Sequence, residues 1–156
     1  MPQQHDRAAP GGHDQLNAQS RARLVELVDG LDERALRLPL GEHWTVAAGL
    51  LHLSFWDRFT LERWADAQRM RLTTPRPLAD FTEDQINDTL TPLLLAATGE
   101  QARRQVLESA QAVDEFIARL PAQTVELVRT EGRPRLLDRS IHRVEHLDEI
   151  EALLAG

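Results

Sequence analysis

The sequence predicts an all-α fold: a four-helix bundle with a long crossover between its second and third helices. Three observations predict it. Apolar residues recur at helical spacing in four separate segments. A proline-bearing stretch, TTPRPLAD, with a short helix behind it, parts the second segment from the third. The few β-branched residues elsewhere are too few to make a sheet on their own. At 156 residues the chain fits one domain and can bury a real core.

Residues 1–12, rich in Gln, Pro and Gly, read as a disordered tail, and residues 13–156 as the bundle. His5 and His13 lie in or beside that tail and read as surface histidines. The first helix is expected from about Asp14 to Asp29, with Leu24, Leu27, Val28 and Leu31 at helical spacing and Gly30 as its stop. LDERALRLP adds a short turn ended by Pro39, and LGEH is a connector.

The second helix opens at Thr45, a good N-cap residue, and its first half is apolar nearly all round, the mark of a central helix. Val46, Leu50, Leu53, Leu61 and Trp64 form its core stripe. Asp57 interrupts that stripe and needs a partner if buried. In FTEDQINDTL, Thr82 and Gln85 stand at capping-box spacing, and Pro92 and Gly99 separate this short helix from the next.

The third long helix is expected over Glu100–Leu120, where Val106, Ala110, Val113, Ile117 and Leu120 step by four and three to make a bundle seam. Pro121 stops it. PAQTVELVRTEGRP reads as a polar connection in which Thr124, Val125, Val128 and Thr130 favour an extended piece. The fourth helix follows over about Arg135–Leu154.

Composition narrows the chemistry. Every basic residue is Arg, and Lys, Cys and Tyr are absent. No disulfide, thiolate ligand, cysteine nucleophile or lysine Schiff base is available, so any metal must be held by imidazole, carboxylate or water. A net charge of −7 argues against nucleic acid as a partner. The cluster Arg129, Arg133, Arg135 and Arg139 reads as a solvated loop. No apolar run approaches the ~18 residues of a membrane span. The N-terminus lacks the apolar stretch of a signal peptide, so the expected location is the cytoplasm.

IHRVEHLDEI, in the fourth helix, places His142 and His146 four apart, roughly 40° apart on one face. Such a pair can give a divalent transition metal two nitrogen ligands without bending the backbone. Chance supplies about 0.2 such pairs in a chain with six histidines, so a third ligand has to be found elsewhere. His52 is the candidate. It lies within the apolar helix in GLLHLSFW, near Phe55, Trp56 and Phe59, where a polar ring needs a hydrogen-bond partner or a metal. Three imidazoles plus water make an open site of catalytic type. Glu149, Glu145 and Asp138 fall on the flank of His142, where carboxylates can orient imidazoles or exchange protons. Trp44, Trp56 and Trp64 read as core or groove-lining side chains.

GEHWTVAAGLLHLSFWDRFTLERW resembles the second helix of DinB-like proteins, with a Trp-Thr start, His-Leu and then Trp-Asp. IHRVEHLDEI resembles their last helix, with HxxxH. The likeness covers most of residues 14–154 in helix order and spacing. It implies a DinB/YfiT-like bundle, the fold shared by the helical domain of mycothiol-dependent maleylpyruvate isomerases. It also implies a metal on His52, His142 and His146 with water completing the coordination, and often a homodimer. Position 149 is Glu where many relatives have Gln, which leaves it as ligand, supporting group or neither.

The resulting expectation is a metal-dependent transferase, isomerase or hydrolase acting on a small-molecule substrate. Its cofactors would be a divalent transition metal (Zn, Ni or Fe) and, in one form of the reading, a low-molecular-weight thiol. The alternatives are a non-catalytic module that binds a small molecule or a protein, and a purely structural metal bundle. Ile141 and Val144 lie off the arc of Leu147, Ile150 and Leu154, which suggests a second, dimer-forming surface.

Overall fold

The structure, a computed structural model, describes residues 12–78 and 82–156. The expected tail falls almost wholly outside the described residues, but Gly12 already opens the first helix. Four long helices carry the fold: α1 (Gly12–Gly30), α3 (Val46–Arg69), α5 (Gly99–Ala118) and α7 (Ser140–Ala155). Shorter helices α2 (Glu33–Leu36), α4 (Glu83–Ala96) and α6 (Ala122–Thr130) fill the connections, together with one 3₁₀ turn at Pro134–Leu136.

Side-chain pairings give the helix directions. Ser54 reaches Gln105 early in both helices, and Trp64 meets Phe116 late in both, so α3 and α5 run parallel. His52 meets His142 while Trp64 reaches Leu136, so α3 and α7 run antiparallel. Two parallel neighbours cannot be joined by a tight turn, which explains the long crossover over residues 70–98. Thr45 caps α3 by accepting from the Ala48 amide, and Thr82 and Gln85 form the expected capping box on α4.

The core has two apolar clusters. One joins Leu24, Val28, Val46, Leu50, Val106 and Leu147, and the other Trp64, Val113, Ile117, Val128 and Leu136. A charged layer joins them: on α3, Asp57 lies between Leu53 of the first cluster and Trp64 of the second. Arg143, 1 % exposed, donates to both carboxylate oxygens of Asp114 at 2.8 and 3.0 Å, and to Asp57 at 3.4 Å. Arg139 Nε donates to the other Asp57 oxygen at 2.9 Å. Asp57 thus has its partners, both on α7 or its N-cap. Arg143 also donates to the Asn17 carbonyl and the Ser20 hydroxyl, so the layer touches all four long helices. Asn17 caps α7 from across the bundle, accepting from the Arg139 and Ser140 amides at 2.8 and 3.2 Å.

Several expectations need correction. The connection after Pro121 is helical, because Thr124 and Val128, four apart, bury one face against the bundle, and this outweighs β-branched propensity. Pro92 lies inside α4 instead of ending it. LGEH is the turn of a small hairpin: Pro39–Leu40 pairs antiparallel with Trp44–Thr45, and Gly41 takes φ 64° to close it. His13 is buried in α1, beside Asp14 and Arg129. Of the four clustered arginines, Arg135 is exposed as a solvated loop requires, but Arg129 and Arg133 are half-buried and Arg139 is buried. Leu154 is exposed, as are Ile141 and Val144. Among the described residues, no helix is long and apolar enough to cross a membrane.

Candidate metal centre

Because α7 starts beside the middle of α3, where Arg139 meets Asp57, its first turns run back along α3 to His52, and the three histidines His52, His142 and His146 meet. Nε2 of His142 is 2.9 Å from that of His52 and 3.1 Å from that of His146. Ring centroids stand 4.9, 4.8 and 4.8 Å apart at interplanar angles of 73°, 76° and 81°. The three rings therefore form a near-equilateral propeller. One ligand atom from each lies within 4.8 Å of the others, a group that could hold a metal ion.

Their spacing fits a first-row divalent cation. At metal–nitrogen lengths of about 2.0–2.1 Å, nitrogens 2.9–3.1 Å apart subtend about 90–100° at the ion. Ligands at such angles share one side of an ion and leave positions on the other. The electrostatics agree. Burial, then a charge on His146, pulls His52 down to about 3. Burial, then charges on His146, His52 and the nearby arginines 139 and 135, pulls His142 down to about 2. Both rings are neutral near pH 7, with the lone pairs that a cation requires.

Packing and hydrogen bonds hold the rings. His52 is 3 % exposed and its Nδ1 is buried with no hydrogen-bond partner, so its orientation rests on neighbours. Trp44, presented by the hairpin, stacks at a tilt with its centroid 4.6 Å away, and Trp56 stands edge-on at 6.4 Å. Trp44 donates to Thr91 Oγ1 at 3.0 Å and Trp56 to Asn87 Oδ1 at 3.1 Å, which ties both indoles to α4. On the outer side, Glu149 Oε2 lies 3.0 Å from His146 Nδ1. Asp138 does not join them. It accepts from the Ser140 amide and hydroxyl at 3.0 and 2.5 Å and so helps to start α7.

A cleft of about 750 Å³ opens over the triad, and Glu145 reaches its wall. Trp44, Trp56 and Phe59 make it apolar on one side, and Arg63, Arg133 and Arg135 make it cationic further along. The arginine wall was not found from sequence as part of a site. Its signal was the Arg-rich run after residue 128, which reads as surface until α6 folds it back.

A sequence profile of the DinB superfamily matches residues 16–147. The chain belongs to the DinB superfamily. The matched span runs from α1 into α7 and includes all three histidines, so the resemblance carried by HWT, HL, WD and HxxxH extends over nearly the whole bundle. Neither curated proteins nor solved structures give a match to this DinB-superfamily chain.

Proposed function

We propose that this DinB-superfamily protein is a metal-dependent enzyme acting on a small molecule, with His52, His142 and His146 as the metal ligands. The observation that carries this reading is the convergence of three imidazoles at the base of an open cleft. A structural site would be closed by a fourth protein ligand, and among the described residues no fourth His, Asp or Glu joins the group. A divalent Zn, Ni or Fe ion bound there supplies Lewis acidity, which lowers the pKa of a water or of a low-molecular-weight thiol enough to form a nucleophile near neutral pH.

The protein's own groups support that chemistry. Glu149 accepts the Nδ1 proton of His146 and so keeps the Nε2 lone pair facing inward. Glu145, on the cleft wall beside the triad, is placed to take or return a proton. The indoles of Trp44 and Trp56 exclude water from the inner side of His52 and offer an apolar surface to a substrate. The reactions this suits are transfer, isomerisation and hydrolysis.

Elemental analysis of untagged protein tests the reading. One divalent transition metal per chain in the native protein, lost in His146→Ala, is the expected result. Native protein that binds no added Zn²⁺, Ni²⁺ or Fe²⁺ would sink it.

A further inference from the structure

Four arginines and two glutamates line the cleft of a chain whose net charge is −7, so the pocket runs against the charge of the molecule. Arg139 is paired with buried Asp57, and Arg133 is paired through Nη1 alone, with Glu131 at 3.0 Å. Arg63 is not. Among the described residues no carboxylate pairs with it, and its Nε is buried without a hydrogen-bond partner. Its one hydrogen bond goes from Nη2 to the Arg76 carbonyl at 3.0 Å, and Arg133 Nη2 donates to that same oxygen at 3.2 Å. Two guanidinium groups from different elements thus converge on a single neutral oxygen. Guanidinium forks are matched by oxyanions, which offer several acceptors and the opposite charge. Burial first, then the charges of Arg133 and Arg139, disfavours the cationic form of Arg63, a strain that a bound anion relieves.

Position along α3 says what such an anion is attached to. His52, Trp56, Phe59 and Arg63 step by four, three and four, so they share one helix face. At 1.5 Å per residue the backbone distance from His52 to Arg63 is about 16 Å. Trp56 and Phe59, with ring centroids 5.5 Å apart edge to face, fill the interval with apolar surface.

We propose that Arg63 and Arg133 form an oxyanion subsite at the end of the cleft away from the histidines, which takes the carboxylate or phosphate tail of an elongated substrate. The middle of that substrate is flat or apolar and lies on Trp56 and Phe59, and its reacting group lies at the triad. The last clause rests on the metal-centre reading; the anion subsite does not.

Calorimetric titration of the full chain with 4-phenylbutyrate, phenyl phosphate and neutral 4-phenylbutanamide tests the subsite, in zinc-treated and in chelator-treated protein. At least one anion should bind about tenfold more tightly than the amide in both preparations. Persistence without metal shows that the anion is not simply ligating the ion, and the tighter of the two anions identifies the tail. Arg63→Gln and Arg133→Gln should each abolish the preference, while Arg58→Gln, an exposed arginine of the same helix bonded to Gln105, should keep it. Equal affinity for anion and amide, loss of the preference on chelation, or its survival in folded Arg63→Gln and Arg133→Gln proteins would overturn the proposal. Zinc stoichiometry in the same samples separates the two readings. Zinc binding without anion preference removes only the subsite, and anion preference without zinc binding removes only the metal centre.

Discussion

Glu149 Oε2 lies 3.0 Å from His146 Nδ1, while Nε2 of the same ring faces His142 at 3.1 Å. A carboxylate at Nδ1 fixes the tautomer and raises the basicity of the nitrogen across the ring, which makes Glu149 a positioning residue. Glu149→Ala should weaken zinc binding by about 10–100-fold, and Glu149→Gln by less, because the amide oxygen can still accept the proton. Competition against a chromophoric chelator measures both. Unchanged affinity in Glu149→Ala would remove the role.

Protonation should destabilise the metal-free protein. His52 and His142 titrate near 3 and near 2 when folded, against 6.5 when exposed. The unfolded chain therefore binds protons first as the pH falls below about 6.5, and stability is lost from there downward. Each histidine contributes up to about 1.4 kcal/mol per pH unit. Asp114, whose carboxyl is pushed up by burial, and His13, whose ring is pulled down by burial, also change charge with pH, so the share of one ring is read as the difference between native and His52→Gln protein. Urea denaturation of chelated protein should show the slope, and His52→Gln should reduce it by one histidine's share. A flat profile would contradict the burial of these rings as neutral groups.

The charged layer gives a stability prediction. Arg143→Met leaves one oxygen of Asp57 buried without its partner and Asp114 with only the more exposed Arg21, at 3.2 Å, and should cost about 3–5 kcal/mol in chemical denaturation. Arg23→Ala, which breaks pairs with Asp148 and Glu151 that are 64 % and 44 % exposed, should cost less than about 1 kcal/mol. Adding Asp114→Asn to Arg143→Met should recover part of the loss, and no recovery would mean that the penalty is not electrostatic.

These residues also show where sequence reasoning stops. His52, His142 and His146 were legible because helical spacing and an apolar neighbourhood are local signals. So were the caps at Thr45 and Thr82. Asp57 was legible only as a question, since its partners Arg139 and Arg143 lie 82 and 86 residues away. The same distance effect hid the capping of α7 by Asn17 and made Arg139 look like surface. Around Thr124 and Val128 the fault was of another kind. Intrinsic preference pointed to extended chain, and burial against the Trp64 cluster decided for helix. Trp44 lines the cleft, in line with its expected place in core or groove, while the hairpin that sets it over His52 needs the backbone turn at Gly41, which no periodicity announces.

The layer of Arg143, Asp57 and Asp114 does more than hold the bundle together: it works as a key. An apolar seam of Leu and Ile tolerates small rotations and slips, because one methyl contact can replace another. Charged partners do not, since turning α7 by one residue would strand them all. The side chain before Arg143 in the sequence is His142, so fixing the angle of one fixes the aim of the other. The bundle can thus orient its histidines before any ion arrives, and hydrophobic repacking of the core should leave that aim intact.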